Sequence, residues 1–546
     1  MIVWYLLSAN TTFAYTHADT LRGSDGRGRA WWDVRHYGLE VQFDLLNKKI
    51  SGRNRIDFKI IKTATDSMQI DLQEPMRITK VKLTISDGGH DRFDVTIDSF
   101  YRDGNVWWIK YPFQKLKKDF IQSLEITYDG SPRNAVNPPW DGGFSWTHDG
   151  NGNPWIAVSC QGLGASVWWP CKDAQWDEPD SGIDIKLIAP ANLEAISNGR
   201  KINEGLLSSD HALKVTEWKV KNPINNYDVT FYIGDYIHWQ DTLMGEKGKL
   251  DLDFWVLRYN EEKARTQFAM VKQMIHCYEY WLGPYPFYED GYKLVEAPYL
   301  GMEHQSATAY GNHYEMGYLG HDRSNTGYGM RFDYIIVHES GHEWFGNSIT
   351  ANDIADNWIH EGITTFAESL FAECIMGKEN AEAYCRGEWH NIQNDKPIIG
   401  NYGVNNEGSE DMYDKGAAIM YMIRTMTDDD EKFMVMLRGL SMEFYHQEVT
   451  TKQIEGYIST HTGLALGSFF NQYLRSTKVP ELEYAIKDHE MSYRFSNIVE
   501  GFTLPIMLSA GKKTITLNPT ADWQKAKWNG GYNVNFTDDF LITIKK

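Results

Sequence analysis

Along the first half of the chain, apolar residues repeatedly fall on every second position. Tyr37, Leu39, Val41 and Phe43 share one face of an extended segment, and Ile56, Phe58 and Ile60 do the same in the next. The stretch Ile78-Thr-Lys-Val-Lys-Leu-Thr-Ile85 runs into Ser86-Asp87-Gly88-Gly89, a strand ending in a turn. Alternation of this kind turns one face to a core and the other to water, so residues 17–243 are expected to form a large antiparallel β domain. The pattern changes after Asp251-Leu-Asp-Phe-Trp-Val-Leu257. Residues 261–281 have helical character, which Gly283-Pro284-Tyr285-Pro286 stops. Helix then predominates to about Ser476, with one strand expected at Tyr292–Ala297, and residues 244–478 are read as a second domain. Alternation returns in Thr514–Leu517 and Phe540–Ile544, which predicts a small β-sandwich over residues 479–546.

Composition narrows the function classes. A chain of 546 residues exceeds what one hydrophobic core usually organises, and 42% hydrophobic with 14% aromatic residues marks it as folded. The formal net charge of -20 argues against nucleic acid as a partner, because phosphate binding needs clustered Lys and Arg. No apolar run approaches the length of a membrane-spanning helix. The short apolar stretch Met1–Leu7, followed by Ser8 to Ala14, is read as a possible signal-peptide remnant within residues 1–16. That reading favours an exported or periplasmic location over the cytoplasm, although a basic n-region is lacking. Cys160, Cys171, Cys277, Cys374 and Cys385 are too few and too scattered for a disulfide scaffold, and none forms a C-x-x-C pair.

The chemistry concentrates in Tyr334-Ile-Ile-Val-His338-Glu339-Ser-Gly-His342. On a helix, His338 and His342 lie one turn apart on the same face, so both imidazoles reach one metal ion. Zinc accepts such nitrogen ligands, and a catalytic site takes three protein ligands while leaving a position for water. Glu339 then stands beside that water as a general base. Eighteen residues separate His342 from Glu361, which lies in Asn357-Trp-Ile-His-Glu361-Gly-Ile-Thr-Thr-Phe-Ala-Glu368. That segment reads as a second helix bringing a carboxylate as third ligand. Glu368, seven residues on along the same face, is either a partner of a zinc-bound histidine or a solvated surface residue.

These residues resemble the gluzincin aminopeptidases of the M1 family, of the aminopeptidase N and leukotriene hydrolase type. Leu300-Gly301-Met302-Glu303-His304 resembles the family's G-x-M-E-N exopeptidase motif, and Tyr413-Asp-Lys-Gly416-Ala417 its Y-E-K-G-A segment. Trp281-Leu-Gly-Pro-Tyr-Pro-Phe287 resembles an element near the start of its catalytic domain. The resemblance implies a multidomain α+β architecture: a β-rich N-terminal saddle, a thermolysin-like catalytic domain and a small C-terminal β-sandwich. It implies one zinc per chain on His338, His342 and Glu361, Glu339 as base, and Tyr413 donating its hydroxyl to the oxyanion. It also implies Gly301, Met302 and Glu303 in substrate binding, with Glu303 on the substrate's α-amine, and Gln161 of Ser-Cys-Gln161-Gly-Leu-Gly as a further contact. Three positions depart from the family pattern: Leu300 replaces a Gly, and His304 and His360 each replace an Asn.

The expected activity is release of N-terminal amino acids from peptides with a free N-terminus. An epoxide hydrolase sharing the zinc site, a thermolysin-type endopeptidase and a zinc-bearing binding scaffold are the alternatives. The family's large helical cover cannot be built from the strands expected after Pro480, so the cleft is expected to be open where the peptide's C-terminal part leaves.

Overall fold

The structure, a computed structural model, describes residues 15–88, 92–510, 513–530 and 534–546. Apart from Tyr15 and Thr16, the expected signal-peptide remnant lies outside the described residues. The alternating segments at the start form a sheet of eight strands. Trp32–Asp44 pairs antiparallel with Lys49–Ile60 and parallel with Ile183–Pro190. Its inward face is the one read from period two, with Tyr37, Leu39, Val41 and Phe43 all buried. Two smaller sheets pack with it around an aromatic core that includes Trp31, Trp32, Trp168 and Trp169. One of them pairs Gly143–His148 with Pro154–Ser159, the strand that leads into Gln161.

The second region is built on a five-stranded sheet running Tyr236–Gly245, Gly248–Leu257, Tyr292–Glu296, Thr308–Tyr310, Gly301–Met302. The expected boundary at residues 243–244 falls inside the first hairpin, whose register runs without a break from Tyr236↔Leu257 to Gly245↔Gly248. The helical stretch expected over 261–281 is two helices, Glu261–Gln267 and Met270–Leu282. At the break Phe268 turns into the core, against Phe254 and Tyr310. Helix Met270–Leu282 packs on the long helix Trp358–Met376, and a Cys277–Cys374 disulfide links the two. Cys160, Cys171 and Cys385 are free and buried.

The last region is a small β unit of a four-stranded and a three-stranded sheet. The strand read at Phe540–Ile544 is shorter than expected. Phe540 is buried in the catalytic core, and extended pairing begins only at Thr543, parallel to Glu481–Glu483. The whole is thus a β-rich N-terminal part, a mostly helical catalytic part and a C-terminal β part. No helix among the described residues is long and apolar enough to cross a membrane.

Candidate active site

The helix Tyr334–Gly341 carries His338 and Glu339, and His342 is its C-cap residue, still in αR geometry. Its start is fixed by Asp333, whose carboxylate accepts the Ile335 and Ile336 N–H groups at 3.1 and 3.3 Å. Tyr310, Gln267 and Asn312 also donate to this carboxylate, so the N-cap is tied to the sheet and to helix Glu261–Gln267. One turn on, the two imidazoles meet with Nε2 to Nε2 at 3.2 Å. Glu361, from helix Trp358–Met376, places Oε2 3.5 Å from His338 Nε2 and 3.3 Å from His342 Nε2.

The donor set fits a zinc ion on three grounds. The opposite ring nitrogens are occupied: His338 Nδ1 lies 2.7 Å from Glu368 Oε1, and His342 Nδ1 lies 3.0 Å from the Phe345 carbonyl. These acceptors hold the protons on Nδ1 and leave both Nε2 lone pairs facing one another, an arrangement that needs a cation between them. Glu361 Oε2 is buried without a hydrogen-bond donor among the described residues. Two imidazoles and one carboxylate are also the ligand chemistry of a catalytic zinc centre. Glu368 is fully buried and its second oxygen accepts from Tyr384 at 2.7 Å, which settles the alternative of a solvated residue. Burial works against charge on His338, but Glu361 and Glu368 outweigh it and raise its pKa, so the surroundings favour a positive charge at Nε2, which a metal ion supplies in place of a proton. Glu361 shows the reverse: its burial is overcome by His342 and His338, and its pKa is lowered.

Glu339 is buried beside the cluster. Burial, opposed by His338 and reinforced by Glu303, pushes its carboxyl up to about 8. Room for it depends on Gly301, where a Cβ would lie 2.5 Å from Glu339 Oε1 and 2.8 Å from Ile335 Cγ2. A pair of glycines sets the roof. Gly362 and Gly416 bring their helices so close that a Cβ on Gly416 would stand 2.6 Å from Gly362 Cα. Helix Asp414–Thr427 therefore starts directly over Glu361, and Tyr413, its N-cap residue, lays its ring along His338 at 6.0 Å.

Glu303 follows the edge strand Gly301–Met302 and is buried. Its Oε1 accepts from Gln161 Nε2 at 2.8 Å and from the Tyr227 hydroxyl at 3.2 Å. Gln161 Nε2 also donates to Glu361 Oε1 at 2.9 Å, so one amide from the β-rich part spans a carboxylate beside the zinc ligands and one among them. Asn347 Nδ2 donates to the Glu303 carbonyl. His304 Nδ1 pairs with Tyr232 and His360 Nε2 accepts the Ala351 N–H; burial lowers both pKa values to about 3, so both rings are neutral framework groups. Leu300 lines the cleft.

All nine sequence-derived site residues, His338, Glu339, His342, Glu361, Tyr413, Glu303, Gln161, Gly301 and Met302, line one cleft of about 470 Å³. Sequence reasoning missed Tyr227, Trp140, Arg323, Asp414 and Glu410. Arg323 binds the Asp414 carboxylate through Nη2 at 2.9 and 3.1 Å, donates to Tyr334, and thereby anchors the residue after Tyr413. Trp140, Arg323, Glu410 and Asp414 line the cleft and Tyr227 reaches it only through Glu303, and no spacing or periodicity marks these positions.

A buried histidine pair one turn apart, closed by a glutamate from the next helix, defines a gluzincin-type metallohydrolase. The family models agree: that of the Peptidase M1 N-terminal domain matches residues 34–227, and that of the Peptidase family M1 domain matches residues 266–473. The chain belongs to peptidase family M1, whose members are zinc metallopeptidases. Leukotriene A-4 hydrolase of Xenopus laevis is 22% identical over 452 residues, 79% of this chain and 68% of that protein. The puromycin-sensitive aminopeptidase of Caenorhabditis elegans is 24% identical over 346 residues, 62% of this chain and 34% of that one. Aminopeptidase M1-D of Oryza sativa subsp. japonica is 21% identical over 340 residues, 59% of this chain, so the chain spans little more than a third of these two aminopeptidases. The crystal structure of an M1 zinc metallopeptidase from Deinococcus radiodurans shares the fold, with a TM-score of 0.68, 17% identity, and coverage of 83% of this chain and 96% of that one.

Proposed function

We propose that this chain is a zinc aminopeptidase that removes single residues from the N-termini of peptides. The observation that carries this reading is the Gln161 amide donating to both Glu303 and Glu361 at 2.8 and 2.9 Å. That point brings the Glu303 carboxylate beside the metal ligand Glu361, so a peptide's protonated α-amine can be held there by charge-assisted bonds. Fixing the amine there sets the register so that the first peptide bond falls beside Glu339.

His338, His342 and Glu361 hold the zinc. When bound, the ion supplies Lewis-acid polarisation of the scissile carbonyl and acidifies water beside it. Glu339 takes the proton from the attacking water and returns it to the departing amine. Tyr413 donates its hydroxyl to the carbonyl oxygen as negative charge develops there. Arg323, through Asp414, keeps the start of the tyrosine helix in place. Glu368 keeps the His338 ring oriented.

The names of the relatives support the same reading, and one structure of the Deinococcus enzyme is of a mutant bound to a Tyr-Ser-Ala substrate. The test is the ratio of kcat/KM for a free and an N-acetylated form of one substrate. The wild-type chain is expected to cleave the free form by far the faster, and Glu303→Ala to collapse the ratio. Equal rates on both forms in the wild-type chain would refute the reading.

A further inference from the structure

Trp140 is 61% exposed, yet it lines the cleft together with Pro139, Gln161, Leu300 and Met302. A large ring at the wall of a cleft offers apolar surface to whatever binds there. Among the described residues it stacks on no other aromatic ring, and most of its surface is exposed.

The loop that presents it is stiff. Asp141 accepts the Val136 and Asn137 N–H groups at 2.6 and 2.9 Å, and Arg133 reaches the same carboxylate at 3.3 Å. The tandem Pro138-Pro139 fixes two φ angles. The loop ends in Gly142, where φ is +68° and a Cβ would meet the Leu163 side chain at 2.8 Å. Its position relative to the amine site is equally fixed. Ser159 Oγ donates to the Pro139 carbonyl at 3.4 Å, and Leu163 belongs to the same turn as Gln161. The strand and turn that carry one amine contact therefore also hold Pro139 and Gly142, which flank the tryptophan. A peptide whose amine is held at Gln161 and Glu303 presents its first side chain, and not its distal residues, to this wall.

We propose that Trp140 is a specificity-determining residue whose ring packs against the side chain of the substrate's first residue, selecting large apolar and aromatic N-termini over small ones. Leu300 supplies apolar surface to the same cleft, in a position that the family motif gives to glycine. The proposal rests on the aminopeptidase reading, since it uses the amine as its reference point. A preorganised wall need not be ordered on binding, so less of its contact energy is offset by lost conformational freedom.

The test is kcat/KM on aminoacyl-fluorophore substrates with Phe, Leu and Ala as the first residue. The wild-type chain is expected to favour Phe and Leu over Ala. Trp140→Ala is expected to lower the Phe:Ala and Leu:Ala ratios about tenfold, within the range by which single pocket contacts discriminate substrates, and Trp140→Phe to restore most of the loss. Val136→Ala, in the same loop and 88% exposed but outside the cleft lining, is expected to leave the ratios unmoved. Equal losses on all three substrates, or ratios unchanged in Trp140→Ala, would overturn the proposal while leaving the aminopeptidase reading intact. If Trp140→Ala fails to fold, Trp140→Ser and Trp140→Phe carry the same comparison. A wild-type chain that cleaves none of the three would overturn both.

Discussion

Glu368 carries no chemistry of its own, and so its removal isolates what orientation of a ligand is worth. It is fully buried, and both its oxygens are used, one by His338 Nδ1 at 2.7 Å and one by the Tyr384 hydroxyl at 2.7 Å. In Glu368→Gln the side-chain oxygen still accepts from His338 and the amide meets the Tyr384 oxygen, so the hydrogen bonds survive and the negative charge beside the ring is lost. In Glu368→Ala the bonds go as well, and the ring is free to turn. Losing such a partner typically weakens metal affinity 10- to 100-fold. The conservative variant is expected near the lower end, about 1.4 kcal/mol, and the truncation near the upper end, about 2.7 kcal/mol. The assay is competition for zinc against a chromophoric chelator, with the Tm of each metal-free protein as a control for general damage. A zinc affinity within twofold of wild type in Glu368→Ala, alongside a lowered Tm, would show that the carboxylate is packing and nothing more.

Tyr413→Phe is expected to keep zinc and peptide binding and to lose about 100-fold in kcat, the scale of a missing oxyanion donor; a rise confined to KM would remove that role. Gly416→Ala drives a methyl into Gly362 and is expected to cost about 1–3 kcal/mol and to lower kcat by moving Tyr413, read by denaturant unfolding and initial rates. An unchanged midpoint would mean the helices have slack that their spacing does not suggest. Asp228 is fully buried, and neither carboxylate oxygen has a hydrogen-bond donor among the described residues. Burial, with Glu303, Glu178 and Glu343 nearby, pushes its pKa well above the usual range, so the folded chain keeps a proton that the unfolded chain releases. That contribution is fully present below the unfolded pKa of about 3.9 and is lost as pH rises toward the folded value. The gain in Tm of Asp228→Asn over wild type is therefore expected to grow between pH 5 and pH 8, and an equal gain at both would contradict the cause given.

What the sequence disclosed was what is local. His338 and His342 are four positions apart, so the turn of one helix brings them together, and Tyr37 to Phe43 show their buried face through period two alone. Glu361 and Glu368 are also one helix face apart, but whether Glu368 met a histidine or water depended on how two helices pack. The Tyr227 contact to Glu303 spans 76 residues and two domains, and no periodicity encodes it. The break at Phe268 came from a side chain claimed by the sheet core, which outweighed the continuous helical pattern. The hairpin Tyr236–Leu257, which contains residues 243–244, shows the opposite limit. Its strands alternate like those before them, and nothing in alternation says which sheet a strand joins. Trp140 was invisible because a loop's rigidity rests on contacts made by Asp141 and Ser159 and not on any pattern.

The most direct test of the account is a time course of one unblocked peptide of about ten residues with the zinc-loaded chain, followed by mass spectrometry. The account predicts successive loss of single residues from the N-terminus, with no internal fragments and no reaction once the terminus is acetylated. Internal fragments, or equal cleavage of the acetylated peptide, would contradict it.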